Sequence, residues 1–156
     1  MLRPDRRTAT ALLVAGVFFM ENLDATVIAT SLPAMARDFG TLPAHLSVGV
    51  SAYLLALTVF IPVSGWAADR FGARRVFAAA IAVFTSASLL CALSPSLAMF
   101  TAARVLQGIG GAMMVPIGRL VVLRDTPKAA LVRTIAILNW PALVAPILGP
   151  PLGGWI

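Results

Sequence analysis

A chain of 156 residues that is 60% hydrophobic and 12% charged, with a mean hydropathy of +0.94, carries more apolar surface than a soluble domain of that size can bury. The composition points to the membrane class. The formal net charge of +6 does not indicate nucleic acid, because the charges sit mainly in short gaps between long apolar runs, where their sign reports topology.

The spacing predicts five spanning helices, at about 10–33, 46–68, 76–93, 97–118 and 134–156, each close to the roughly 20 apolar residues that cross a bilayer. No stretch alternates with strand period, which argues against a membrane barrel. The expected fold is an all-α polytopic bundle.

The first run contains "FFMENLDATVIATSLP" (18–33), with Glu21 and Asp24 near its middle. An acid at a helix centre costs about 2.5–3.5 kcal/mol on insertion scales. Three residues apart, the two occupy neighbouring positions on one helix face. Acids in such places usually face a bundle interior or a wet cavity, where a carboxylate can carry a proton or hold a cation. The functional reading is the stronger for Asp24. For Glu21 a structural, hydrogen-bonded acid near a cavity mouth is an equal alternative. A secretory signal, with Arg3, Arg6 and Arg7 as its basic start and Ala34-Met35-Ala36 as its cleavage site, fails on the length of the apolar run and on the acids inside it.

Between the first two runs lies a short connection carrying Arg37, and His45, the one histidine, follows at the expected outer boundary as an interfacial polar residue. The second run ends in "GWAADRFGARR" (65–75). Gly65 permits close backbone contact and Gly72 a tight turn. Asp69 can cap or pair with a neighbouring helix terminus or an arginine. Arg70, Arg74 and Arg75 suit an anionic membrane face. Together they suggest a conformational latch.

Ser94-Pro95-Ser96 barely separates the third and fourth runs, so these form a tight helical hairpin. Cys91, the single cysteine, reads as a small buried hydrophobe. The fourth run holds a second embedded charge in "ARVLQGIGGAMM" (103–114). Arg104 and Asp24 are both displaced outward from their helix centres by a few ångströms, so their depths nearly match and the two can communicate if their helices share a cavity. The alternative is that Arg104 satisfies backbone carbonyls and locks helices together. Gln107 lies within hydrogen-bonding reach on the same turn, and Gly108, Gly111 and Ala112 allow close helix approach. "GIGGA" is no phosphate loop, since it lies inside an apolar helix without a Lys-Ser/Thr ending.

The fifth run contains "APILGPPLGG" (145–154). Pro141, Pro146, Pro150 and Pro151 each remove a backbone donor and favour a kink. Ala145, Gly149 and Gly153 recur every four residues as a smooth packing stripe. The combination suggests a hinge or a seam between moving helices. The run stops at Ile156 without a polar flank, and the chain reads as a piece of something longer or a truncated product.

Orientation follows the basic residues. Arg3, Arg6 and Arg7 at the start, Arg70, Arg74 and Arg75 after the second run, and Arg119, Arg124, Lys128 and Arg133 after the fourth fall on one side, against Arg37 alone on the other. The N-terminus is therefore expected to be cytoplasmic. There is no metal-ligand set, no nucleophile constellation and no nucleotide loop, so neither an enzyme nor a cofactor is indicated.

Four of these stretches, in this order, resemble the N-terminal part of a major facilitator superfamily transporter, most closely the fourteen-span drug:proton antiporters. "LDATVIATSLP" (23–33) resembles their first-helix motif and "GWAADRFGARR" their loop between helices two and three. "RVLQGIGGA" (104–112) resembles the fourth-helix motif, and "APILGPPLGG" the antiporter motif of helix five. Ala145 stands where that last motif often begins with Gly, and Pro151 doubles its Gly-Pro. The resemblance implies that Asp24 is a cavity acid for cation recognition or proton coupling and that Arg104 is its partner in a proton relay. It assigns Asp69, Arg70 and Arg74 to a latch that stabilises the outward-facing state. Gly149, Pro150, Gly153 and Gly154 would shape a seam against a second-half helix. Such transporters have twelve or fourteen spans in two halves, so the sixth helix and the second half are missing here.

The implied function is proton-coupled export of amphipathic, often cationic small molecules by alternating access in a bacterial inner membrane. The proton gradient supplies the energy; no cofactor and no nucleic acid takes part, and the lipid bilayer is a partner. The rival reading is a non-transporting membrane fragment, structural or paired with a complementary chain. A channel is disfavoured because no filter-like loop repeats.

Overall fold

The computed structural model describes residues 6–124 and 126–153. Five long helices follow one another: α1 (Arg6–Asp38), α2 (Pro43–Phe71), α3 (Ala73–Ala92), α4 (Leu97–Arg124) and α5 (Leu131–Gly153), with one 3-10 turn at Lys128–Ala130 before α5. All five are long and apolar enough to cross a membrane; the shortest has 20 residues, about 30 Å at 1.5 Å per residue. There are no strands among the described residues.

The helices overrun the expected spans by as many as six residues. α1 continues to Asp38 and α4 to Arg124, because a helix satisfies its own backbone as well in the headgroup layer as in hydrocarbon. α5 begins at Leu131, three residues before the expected start, directly after the 3-10 turn that follows Pro127. It stays helical through Pro141, Pro146, Pro150 and Pro151.

Local chemistry sets the junctions. Gly40, at φ +59°, turns the chain after α1. Leu42 is extended (φ −80°, ψ 145°), as the residue before a proline tends to be, and Pro43 opens α2, where its missing N–H costs nothing. Thr41 Oγ1 and His45 Nδ1 are hydrogen-bonded at 2.8 Å on this exposed corner. Between α2 and α3 stands a single residue, Gly72. At φ +89° and ψ 129° its N–H closes α2 on Ala68 O at 3.0 Å, while its own carbonyl accepts from Arg75 N and Val76 N, both at 3.1 Å. A side chain at that φ would be strained. Ser96 starts α4 by accepting from Met99 N at 3.3 Å, an N-cap bond.

The described residues fall into two compact units. One runs from Ser31 to Ile117; the other comprises the residues up to Thr30 and those from Gly118 onward. In the first, Leu46, Tyr53, Phe77, Ala80, Phe84, Ala87 and Phe100 are buried. In the second, Val14, Phe18, Leu138 and Ala145 are. The outward faces are apolar: Leu55 is 67% exposed, Leu143 70% and Ile147 71%. Water would penalise that surface and lipid does not, so helix contact relies on close packing and interhelical hydrogen bonds.

Candidate functional site

Arg104 is 1% exposed, in the interior of α4. Its guanidinium carbon lies 4.3 Å from the centroid of the Tyr53 ring on α2, a cation–π arrangement. One N–H of the same group donates to Gln107 Oε1 at 2.5 Å. Gln107 is fully buried, and its Oε1 also accepts from Cys91 Sγ on α3 at 3.8 Å. Arginine can only donate, so the amide oxygen must face it. The other side of that amide, Nε2, is buried without a hydrogen-bond partner among the described residues. The buried cation thus joins α4 to α2, and α3 reaches the same cluster through Gln107. The ring contact is worth about 2 kcal/mol when desolvated and the bond to Gln107 about 1.5–3 kcal/mol, which offsets part of the cost of taking the charge out of water.

Glycines make the convergence possible. A Cβ at Gly108 would lie 2.6 Å from Tyr53 O and 2.9 Å from Ala56 Cβ, so α4 closes on α2 only because that atom is absent. A Cβ at Gly110 would meet Phe84 N at 2.9 Å and Ala80 O at 3.0 Å on α3. Two residues apart, these glycines face different neighbours, and α4 wedges between α2 and α3. Gly49 on α2 leaves the room that the Phe100 ring occupies: an added Cβ would lie 2.9 Å from Phe100 Cδ1 and 3.6 Å from Arg104 Cγ. Gly111 and Ala112 are buried as well.

On α1, Ala11, Val14, Ala15, Phe18 and Glu21 form one buried stripe with helical spacing, and Glu21 is 8% exposed. Asp24 is half-buried. The two acids therefore differ in burial, and Glu21 lies the deeper. Asn22 Nδ2 donates to Phe18 O at 2.8 Å, and Thr26 Oγ1 turns back on Asn22 O and Leu23 O at 3.0 and 2.9 Å. These polar groups are satisfied by their own helix, which suits a chain crossing lipid.

The α2–α3 corner presents Gly65, Asp69, Arg70, Gly72, Arg74 and Arg75 as exposed residues. A Cβ at Gly65 would meet nothing within 4 Å. Beside them Trp66 and Phe71 stack edge to face, 5.9 Å apart at 88°. On α5, Ala145 and Gly149 are buried while Pro146, Pro150 and Pro151 are exposed. Gly149 is seated against Thr26 of α1: an added Cβ would lie 2.5 Å from Thr26 Cβ. Gly153 ends the helix, and Gly154 lies outside the described residues.

Sequence reasoning reached Arg104 and Gln107, whose bond follows from their spacing, but not Tyr53, Gly49, Phe100 or Gly110. Cys91 is buried as expected, yet it also donates to Gln107, which its apolar surroundings in the sequence concealed. One signal was present for Tyr53: it is the single tyrosine of the chain, a polar-tipped ring in an apolar helix.

Long apolar helices with apolar outward faces and a buried cation define a polytopic α-helical membrane protein. The Major Facilitator Superfamily model matches residues 14–156, and the chain belongs to that family. It is 46% identical over 151 residues to the "Putative multidrug resistance protein MdtD" of Salmonella typhimurium, and equally so to the proteins of that name from Salmonella enteritidis and Salmonella typhi. The match takes in 97% of this chain and 32% of each relative, so the chain spans about a third of their length.

Proposed function

We propose that this chain forms the N-terminal part of a secondary transporter that exports amphipathic or cationic small molecules against an inward flow of protons, by alternating access. Asp24 is the coupling acid, Arg104 the fixed cation of the relay, and Glu21 a secondary acid. The residues Gly65, Asp69, Arg70, Gly72, Arg74 and Arg75 form a latch that closes one face of the cavity. Gly149, Pro150, Gly153 and Gly154 belong to a seam that slides or seals during the cycle. The protein resides in a bacterial inner membrane with its N-terminus in the cytoplasm, in keeping with its basic residues.

The observation that carries this reading is the buried seat of Arg104, held between Gln107 of its own helix and the Tyr53 ring of α2. Charges inside membrane spans are costly and are kept chiefly for ion and substrate pathways. The multidrug resistance named for the relatives supports the substrate class. The test is Asp24→Asn in the transporter that contains this chain, assayed in everted membrane vesicles for dye efflux and drug-driven proton movement. Both are expected to vanish while membrane insertion persists; unchanged efflux and proton exchange would overturn the reading.

A further inference from the structure

We infer that Tyr53 is the positioning residue for the Arg104 guanidinium, and that its ring face does the positioning. This rests on the proposed proton coupling, and it adds a member from α2 to a relay so far read from α1 and α4.

The geometry supports a ring-face role. The guanidinium carbon sits 4.3 Å from the ring centroid, and both residues are buried, Arg104 at 1% and Tyr53 at 6% exposure. A ring face attracts the cation through its quadrupole and takes up none of the five N–H donors. It can therefore hold the guanidinium in place while its donors engage partners that change during a cycle. A carboxylate in the same seat would pair with the charge and neutralise it. Gln107 complements the ring by accepting one N–H, and it does so as a neutral group.

The surrounding backbone is arranged to make that contact short. Gly108, one turn beyond Arg104, lets α4 approach the backbone of Tyr53 itself, with no room for a Cβ. Gly49, one turn before Tyr53, provides space for Phe100 and the Arg104 stem. Two glycines on two helices thus bring the ring and the cation together. The aromatic is also unique: with one tyrosine in the chain, the site has its own spectroscopic label.

Two measurements test this. In the first, the 156-residue chain in nanodiscs is examined by ultraviolet resonance Raman, reading the ring modes of Tyr53. Arg104→Gln is expected to shift those modes; an unchanged spectrum overturns the contact. In the second, the transporter containing this chain is assayed in everted vesicles for drug-driven proton release across a pH series. Tyr53→Leu is expected to lower coupled release about tenfold and to move its pH profile in the same direction as Arg104→Lys does. Tyr53→Phe, which keeps the ring face, is expected to stay within about twofold of the parent. Tyr53→Phe as defective as Tyr53→Leu, or a Tyr53→Leu profile identical to the parent's, overturns the ring-face role. If Arg104→Lys and Arg104→Gln themselves leave proton release and its pH profile unchanged, it is the coupling reading that fails, and the role of Tyr53 in it falls too. The Raman result identifies which of the two, contact or coupling, was at fault.

Discussion

Gly108 of α4 lies against the backbone carbonyl of Tyr53 on α2, so close that a Cβ on the glycine would come within 2.6 Å of that oxygen. Backbone cannot swing aside as a side-chain end can. Gly108→Ala must therefore push α4 away from α2 and loosen the contact between Arg104 and the Tyr53 ring. The expected loss is about 1–3 kcal/mol, as for other overpacked sites, read as a lower midpoint of thermal unfolding in detergent. Gly65→Ala is the matched control: with open space around it, the substitution is expected to stay within about 0.5 kcal/mol of the parent. A fall in transport with Gly65→Ala at unchanged stability would locate the need for that glycine in the transport cycle.

Gly72→Ala should strain the α2–α3 corner, because φ +89° is a conformation that L side chains rarely adopt. The expected cost is about 1–3 kcal/mol. Faster limited proteolysis between Phe71 and Arg75, with the helix content otherwise retained, is the readout.

Gly149→Ala should destabilise the unit that contains α5 and the first part of α1, since the new methyl meets Thr26. A double-mutant cycle with Thr26→Gly is expected to recover part of the loss. The coupling should be about 0.5–3 kcal/mol, the range for residues in direct contact. Simple additivity of the two substitutions would show that the pair does not touch in the membrane.

Gln107→Leu removes a buried acceptor from a cation and from a thiol at once. It should cost about 1.5–3 kcal/mol, the scale of a hydrogen bond to a charged group. It should also raise the rate of Cys91 alkylation by maleimide, because the thiol is now buried and held by that amide. Cys91→Ser keeps a donor in place and is expected to stay within about 1 kcal/mol of the parent.

Five apolar runs were legible from composition because the hydrocarbon core admits little else, and the structure returns five helices at those places. Their ends were less legible. Hydropathy marks where lipid stops, whereas helical hydrogen bonding continues into the headgroup layer, as α1 and α4 do. The turn at Gly72 was readable for a local reason: one residue must reverse the chain, and glycine tolerates the φ required. The bond from Arg104 to Gln107 was readable from a spacing of three on one helix.

The sequence by itself determined the membrane class, the five spans, the embedded charges at positions 21, 24 and 104, and Gly108 as a point of close approach; it missed Gly49 and Gly110, and the close contact expected at Gly65 is not formed within its unit. Each feature it determined depends on a residue and its neighbours within a turn or a span. Only the tertiary structure decided what those features meet. Tyr53 is 51 positions from Arg104, and a single apolar helix gives no hint of which partner its ring will face. Burial likewise separated Glu21 from Asp24, two acids that periodicity alone places side by side. In lipid no hydrophobic force selects the inner face of a helix. The choice falls to steric fit and polar contacts between helices, and these exist only once the helices are packed.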